Sequence, residues 1–344
     1  MIRTLELKNF KGVKEGWIEL APMTLLIGPN NSGKTTILEA LYLAPNPFRE
    51  APYGVQRVIG IIHELHQTLE SKGYLFLLRN YTSNEAKIKC NGYTLTFTKE
   101  NNWIRVNTNK APKMNVHIPL SKLGIEGEKE TVKFNLGRLG IYTDDVRDIV
   151  SDESLIWNVL FFSSNLRQRA FEYIRNEWAL IINLGICKKV SAQISNFIWE
   201  NIKDITIEPF GGKLTINAYL EDGRRIRLGD MGEGIQSYLL IRILYEYLKP
   251  DILLWDDVEA HMNPRMLLAV GDWFSKLVER GVQVIVSTHS LEAVRTLASL
   301  VEGARICLTA LEDGVLRVRA LTLDEVEELL EAGVDVRASA EVLI

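Results

Sequence analysis

Apolar residues recur along this chain with two different periods, and the switches between them mark out an alternating α/β architecture. Ile2, Thr4, Leu5 and Leu7 alternate with charged positions, and after Asn9-Phe10 and the polar Lys11 to Glu15 a second short strand follows at Trp17 to Leu20. This pair predicts a sheet edge. Met23 to Ile27 is instead a continuous apolar run ending at Gly28, as expected of a buried parallel strand that leads into a loop. Ile37, Leu38, Leu41 and Tyr42 then recur at helical spacing, which predicts a helix over Lys34 to Leu43.

Pro45 to Arg57, rich in Pro and Gly, is expected to loop out ahead of a helix over Val58 to Ser71. Residues 74 to 136 predict several short strands, and residues 144 to 203 a helical insertion interrupted by an apolar strand at Asn158 to Phe162. Ala170 to Leu184 and Val190 to Ile202 are its longest expected helices. No heptad is sustained there, so a long coiled-coil arm is not expected. Strands return at Asp204 to Pro209, Leu214 to Leu220 and Arg224 to Leu228. Helix and strand then alternate: Gly234 to Tyr247, Ile252 to Trp255, Pro264 to Arg280, Val282 to Ser287. Such alternation calls for a parallel sheet covered on both faces. Strands at Arg305 to Ala310 and Val315 to Ala320, with an acidic helix at Leu323 to Leu330, predict an appended edge. The expected organisation is an N-terminal lobe over 1–143, the insertion over 144–203 and a C-terminal lobe over 204–344.

Composition narrows the function classes. Hydrophobic residues make up 47% and charged residues 24% of the 344, so a large core is affordable and disorder is not the default. The net charge of -4 gives no general reason to bind nucleic acid or an acidic membrane. One region differs. Lys87, Lys89, Lys99, Arg105, Lys110, Lys113, Lys122, Lys129, Lys133 and Arg138 exceed Glu100, Glu126, Glu128 and Glu130 by six, which makes residues 87–138 the one face suited to DNA, against the plainer reading of a solvated surface. Cys90, Cys187 and Cys307 lack metal-ligand spacing and are expected to be buried free thiols. Charges interrupt every apolar stretch near the N-terminus, so neither a signal peptide nor a membrane span is expected, and a cytoplasmic location without a membrane partner is.

The chemistry concentrates in four places. Gly28-Pro29-Asn30-Asn31-Ser32-Gly33-Lys34-Thr35 matches G-x-x-x-x-G-K-[ST] between a strand and a helix, the context that makes the motif a phosphate loop. Its backbone N–H groups and helix N-terminus suit phosphate, Lys34 the β/γ oxygens of ATP, and the Thr35 hydroxyl Mg2+. A phosphate loop needs a magnesium carboxylate at a neighbouring strand end, and Asp256 after Ile252 to Trp255 supplies it. Asp257 and Glu259 crowd the same exit. Gly232, Glu233 and Gly234 open a helix and can present backbone amides to an anion, although glycines also serve ordinary turns. His289, at the end of a strand expected beside the acidic one, is a candidate γ-phosphate sensor, against the alternative of a hydrogen-bonded structural histidine.

Taken in order, Leu5-Glu6-Leu7-Lys8-Asn9-Phe10-Lys11-Gly12, Leu26 to Thr36, the glycine-flanked segment, Asp256-Asp257-Val258-Glu259-Ala260-His261-Met262-Asn263-Pro264 and His289 closely resemble the ATP-binding-cassette ATPases of the SMC, RecF and OLD (overcoming lysogenization defect) group, also called AAA family ATPases. The resemblance covers residues 1–44 and about 229–300. It implies an α/β P-loop NTPase head with a mixed sheet, an antiparallel β subdomain and a helical insertion. It also implies a head-to-tail homodimer in which ATP lies between the phosphate loop of one copy, Thr36 included, and Gly232, Glu233 and Gly234 of the other. Asp257 then polarises the attacking water, with Glu259 as an assistant, His289 touches the γ-phosphate, and Gln168 stands for the glutamine loop near Mg2+.

Two departures bear on rate. Asp257 stands where the family has Glu, which withdraws the carboxylate by roughly 1.5 Å, one C–C bond; slow hydrolysis follows. Gly232 replaces the signature serine. The implied task is DNA repair or antiviral defence. The alternatives are an ATP-switched scaffold that recruits a separately encoded nuclease or toxin, since residues 290–344 carry no acidic metal-binding motif, and, more weakly, a transporter ATPase.

Overall fold

The computed structural model describes residues 1–53, 57–67, 69, 73–101, 103–109, 116–119, 142–143, 158–194 and 202–344. Its strands are β1 (Thr4–Phe10), β2 (Val13–Glu19), β3 (Met23–Ile27), β4 (Glu85–Cys90), β5 (Tyr93–Glu100), β6 (Trp103–Thr108), β7 (Val116–Pro119), β8 (Tyr142–Thr143), β9 (Val159–Phe162), β10 (Ile202–Phe210), β11 (Lys213–Leu220), β12 (Arg225–Arg227), β13 (Ile252–Trp255), β14 (Gln283–Thr288), β15 (Arg305–Glu312) and β16 (Val315–Leu321). The chain divides into two compact units, Met1–Ala21 with Leu26–Trp157 and Cys307–Ile344, and Pro22–Leu25 with Asn158–Ile306.

In the first unit the strand order is β8-β7-β6-β5-β4-β1-β2-β16-β15-β3. Pairing is antiparallel from β8 to β2 and parallel between β2 and β16. Alternation along β1 buries Leu5 and Leu7 and exposes Glu6 and Lys8, as a sheet with one covered face requires. Two expectations of edge position are corrected here. β1 lies between β4 and β2, and β15 and β16 lie inside the sheet between β3 and β2. The reason is burial: Ile306 to Ala310 are buried throughout, as suits an interior strand rather than an appended one.

Pro45 to Arg57 does not loop out where it is described. Asn46, Phe48 and Arg49 are buried, and the Arg49 guanidinium donates to the carbonyls of Tyr42 and the C-cap Ala44 at the end of the helix Lys34–Leu43, and to that of Asn46 beyond it. These carbonyls, two of them orphans of the helix end, take the place of water for the cation. The next helix is Val58–Leu65, shorter than expected.

The second unit holds β3-β14-β13-β9 and a separate antiparallel sheet β10-β11-β12. β9, β13 and β14 are parallel, with Trp255 level with Phe162 on one side and Val286 on the other. All residues of β9, β13 and β14 are buried. Phe162 and Phe274 meet the Trp255 ring edge-on at 5.5 and 6.2 Å, between the strands and the helix Pro264–Glu279. The expected helix from Ala170 to Leu184 is two, Arg167–Asn176 and Trp178–Asn183, and a third spans Ile186–Ile194; the rest of Val190 to Ile202 lies outside the described residues, apart from Ile202, which opens β10. The three cysteines are buried and free. Among the described residues no helix is long and apolar enough to cross a membrane.

The helix that follows the phosphate loop is anchored from below. Glu39 is 2% exposed and accepts from Lys11 Nζ, while His66 Nε2 lies 3.1 Å from both its oxygens and stacks on Phe76. Burial alone would raise the Glu39 pKa, but the Lys11 charge and the His66 hydrogen bond outweigh it and hold the pKa below its ordinary value. A lowered carboxylate pKa contributes stability above the ordinary value, roughly pH 4.3, and that stability is lost as pH falls through the lowered one. Denaturation of Glu39→Gln, which removes the carboxylate opposite the Lys11 ammonium, should show a loss of about 3–5 kcal/mol at pH 7 that shrinks as pH falls through the lowered pKa of Glu39.

Candidate functional site

The phosphate loop belongs to the first unit. At Gly28, with φ +155°, an added Cβ would stand 2.4 Å from Thr309 O, so only hydrogen fits where the loop leaves β3 against β15. Ser32 Oγ lies 2.8 Å from Thr309 Oγ1, which in turn donates to Ile27 O at 3.1 Å. Asn31 (φ +62°) and Gly33 (φ +94°) turn the chain into the helix Lys34–Leu43, whose N-cap Gly33 offers no side-chain acceptor. The helix thus begins without the carboxamide or hydroxyl that usually satisfies its first N–H groups. Lys34 is 5% exposed and its Nζ donates to Gly28 O at 2.9 Å and Pro29 O at 2.8 Å, which holds a cation at the centre of the loop. Pro29 and Thr36 are half-buried, and Asn30, Asn31 and Thr35 are exposed. An enclosed ammonium and an uncapped helix start fit a polyanion such as ATP.

In the second unit, Asp256, Asp257, Glu259 and His289 gather at the C-terminal ends of β13 and β14. Asp256 Oδ1 accepts from Ser287 Oγ at 2.5 Å, and the same hydroxyl accepts from Asp257 N at 2.8 Å. Asp257 has φ +52°, a left-handed conformation in which Asp is enriched over longer side chains. Its carboxylate lies 3.8 Å from His289 Nε2, both groups being partly exposed. Glu259 does not point outward with them: Oε1 accepts from His289 N at 2.6 Å, and Oε2 is buried with no hydrogen-bond partner. Glu259 therefore fixes the histidine's backbone. Asp256 next to a partly exposed Asp257 offers the oxygen donors that suit Mg2+.

The glycine-flanked segment opens the helix Glu233–Leu248, with Gly232 as N-cap. Its two glycines have different reasons. A Cβ on Gly234 would sit 2.4 Å from His261 O, so the helix and the turn after β13 pack too closely for a side chain. At Gly232 nothing lies within 4 Å, and φ is -58°. Nothing in its own chain requires that glycine. Glu233 is held by Arg167 Nη1 at 2.9 Å and His261 Nε2 at 3.0 Å; the Arg167 hydrogen bond and charge, ahead of His261, keep its pKa below the ordinary value. Gln168 follows Arg167 in the helix after β9, is exposed, and donates to Glu172 Oε1 at 3.2 Å.

Of the basic region, Lys87, Lys89 and Arg105 are paired with Glu85, Glu6 and Glu100 at 2.6 to 2.7 Å. Lys110, Lys113, Lys122, Lys129, Lys133 and Arg138 lie outside the described residues.

Residues 1–135 match the family model "AAA ATPase domain", and residues 131–295 match "AAA domain, putative AbiEii toxin, Type IV TA system". An uncharacterized protein of Methanocaldococcus jannaschii, MJECL11, is 34% identical over 115 residues, 31% of this chain and 99% of that one. The chain belongs to the AAA ATPase domain family.

Within it, segments of this chain are similar in sequence to segments of RecF and of an OLD nuclease. The DNA replication and repair protein RecF of Chlamydia caviae is 36% identical over 90 residues, 25% of this chain and 24% of RecF. The OLD nuclease of Thermus scotoductus is 44% identical over 43 residues, 12% and 8% of the two chains. The match thus spans about a quarter of RecF and less of the nuclease. An SMC head solved with the C-terminal winged helix of ScpA shares the fold, with TM-score 0.57 over 94% of this chain and 98% of that one at 15% identity.

Ser287, Thr309 and Arg167 are the participants that sequence reasoning missed. Ser287 and Thr309 sit inside strands and are 0% exposed. A lone hydroxyl in an otherwise apolar strand, such as Ser287 after Val284-Ile285-Val286, is the signal that could have found them, since a buried hydroxyl needs a partner. For the glycine pair, thermal denaturation should separate two causes: Gly234→Ala should cost about 1–3 kcal/mol through the clash with His261. Gly232→Ser should stay within about 0.5 kcal/mol of wild type or gain slightly from the added N-cap acceptor.

Proposed function

We propose that this AAA ATPase binds Mg-ATP, dimerises head to tail through it, and resets by slow hydrolysis. What carries the reading is the meeting of Asp256, Asp257 and His289 at the ends of two adjacent parallel strands in a family that also has the Gly28–Thr35 loop. Lys34 and the loop backbone would bind the phosphates, and the Thr35 hydroxyl and the Asp256 carboxylate are the groups that would hold magnesium. Magnesium held there would supply charge neutralisation at the phosphate oxygens. Asp257 orients the water and takes its proton, and His289, 3.8 Å from that carboxylate, marks the γ-phosphate end. The unobstructed Gly232 is the surface offered to the nucleotide of a second copy.

Slowness follows from Asp257. Its side chain is a methylene shorter than Glu, and a general base must come within about 3 Å of its water or act through another. Lys87, Lys89 and Arg105 are already paired with carboxylates, so a DNA role of 87–138 would rest on its other cations. DNA repair is supported by the RecF relationship. A defence role, as a scaffold that recruits a separate effector, is supported by the toxin–antitoxin description of the second family model.

Purified protein should hydrolyse ATP in a Mg2+-dependent way, and Lys34→Ala should lose ATP binding; equal binding by both would contradict the loop assignment. In size-exclusion light scattering, Asp257→Asn should persist as a dimer with Mg-ATP and be a monomer without it. A monomer in both conditions would remove the head-to-tail model.

A further inference from the structure

Ser287 is the penultimate residue of β14 and is 0% exposed. Its neighbours Val284, Ile285 and Val286 are fully buried and apolar. A hydroxyl placed among them is unfavourable unless it is hydrogen-bonded. Ser287 has two bonds from that one oxygen: it donates to Asp256 Oδ1 at 2.5 Å and accepts from Asp257 N at 2.8 Å. The direction of both is forced, because a backbone N–H can only donate and a carboxylate only accept. Its carbonyl also accepts from Val258 N at 3.1 Å. One residue of β14 therefore holds three consecutive residues as they leave β13.

The position explains the need. Regular pairing of β13 with β14 ends at Trp255 level with Val286, so the next step outward would set Asp256 beside Ser287. There the side chain takes over from the ladder. Beyond it Asp257 adopts φ +52°, a conformation that costs a non-glycine residue free energy and persists only where its surroundings enforce it. The bond from Asp257 N to Ser287 is such an enforcement. A reciprocal bond, from His289 N to Glu259 Oε1, ties the exit of β14 back to that of β13.

Building on the ATPase reading above, we propose that Ser287 is a positioning residue for ATP hydrolysis. Its hydroxyl fixes the Asp256 carboxylate for metal binding and sets the left-handed turn that aims Asp257, so that two adjacent carboxylates keep separate tasks. The residue touches neither nucleotide nor metal and acts through its two neighbours.

The test compares the full chain with Ser287→Ala and Ser287→Thr in three measurements: steady-state Mg-ATP hydrolysis, ATP binding in EDTA, and Mn2+ affinity in the presence of ATP by electron paramagnetic resonance. Ser287→Ala should lower kcat about 10- to 100-fold and weaken Mn2+ by a similar factor, as loss of a residue that orients a metal ligand does. Metal-free ATP binding should change less than about threefold, because the hydroxyl does not bind nucleotide, whereas KM for Mg-ATP should rise with the loss of metal affinity. Ser287→Thr, which restores the hydroxyl, should recover most of kcat. Unchanged kcat and Mn2+ affinity in the alanine variant would overturn the proposal, as would equal losses in both variants, which would indicate packing alone. If Ser287→Ala does not fold, Ser287→Cys, nearly isosteric and a poor hydrogen-bonding partner, carries the same expectations. A wild type that hydrolyses no ATP would defeat the ATPase reading alone, and the Mn2+ comparison would still decide the role of Ser287.

Discussion

Parallel pairing of β9, β13 and β14 is the constraint on which the acidic cluster depends. Parallel strands place all their C-terminal ends at one edge of a sheet, and residues that would be scattered in sequence are delivered there together. Asp256 and Asp257 follow β13 directly, while Ser287, Thr288 and His289 end β14 or follow it, thirty positions later in the chain. Because the strands are buried on both faces, their register has little freedom. The hydroxyl of Ser287 and the carboxylate of Glu259 then convert fixed strands into fixed exits.

The same region shows how local backbone chemistry shapes a departure from the family pattern. Asp257 occupies a left-handed position, which its short side chain tolerates better than a glutamate would. Shortness also withdraws its carboxylate, so the feature that eases the turn is the one that slows the proposed chemistry. Gly232 and Gly234 divide in a similar way. The second is explained by the His261 carbonyl, and the first by nothing in its own chain.

Much of this was legible from residue pattern. The alternation of apolar runs and helical spacing from Gly234 to Ser287 located the strands and helices to within a residue or two, because buried parallel strands and amphipathic helices have distinct periods. The phosphate loop was legible because glycine, lysine and threonine at fixed spacing have few other uses. Position within the sheet was not: β1 alternates in a way compatible with an edge, and only its pairing with β4, distant in sequence, places it inside. The turn over Pro45 to Tyr53 had loop composition but is buried, since Arg49 satisfies helix carbonyls that composition does not reveal. Ser287 escaped notice for a related reason. A serine in an apolar strand carries no label for what it bonds.

The central claim is that each complete site draws on two copies of the chain, and subunit mixing tests it most directly. Lys34→Ala removes the phosphate loop's cation and leaves Gly232 intact. Gly232→Asp keeps the loop and retains a residue suited to the helix N-cap, but sets a carboxylate where a partner's phosphates would lie. Each variant alone should be inactive, and an equimolar mixture should regain about a quarter of wild-type ATPase activity, since half of randomly paired dimers are mixed and each of those has one intact site of two. A mixture no more active than its separate components, or a fully active Gly232→Asp, would contradict the shared site.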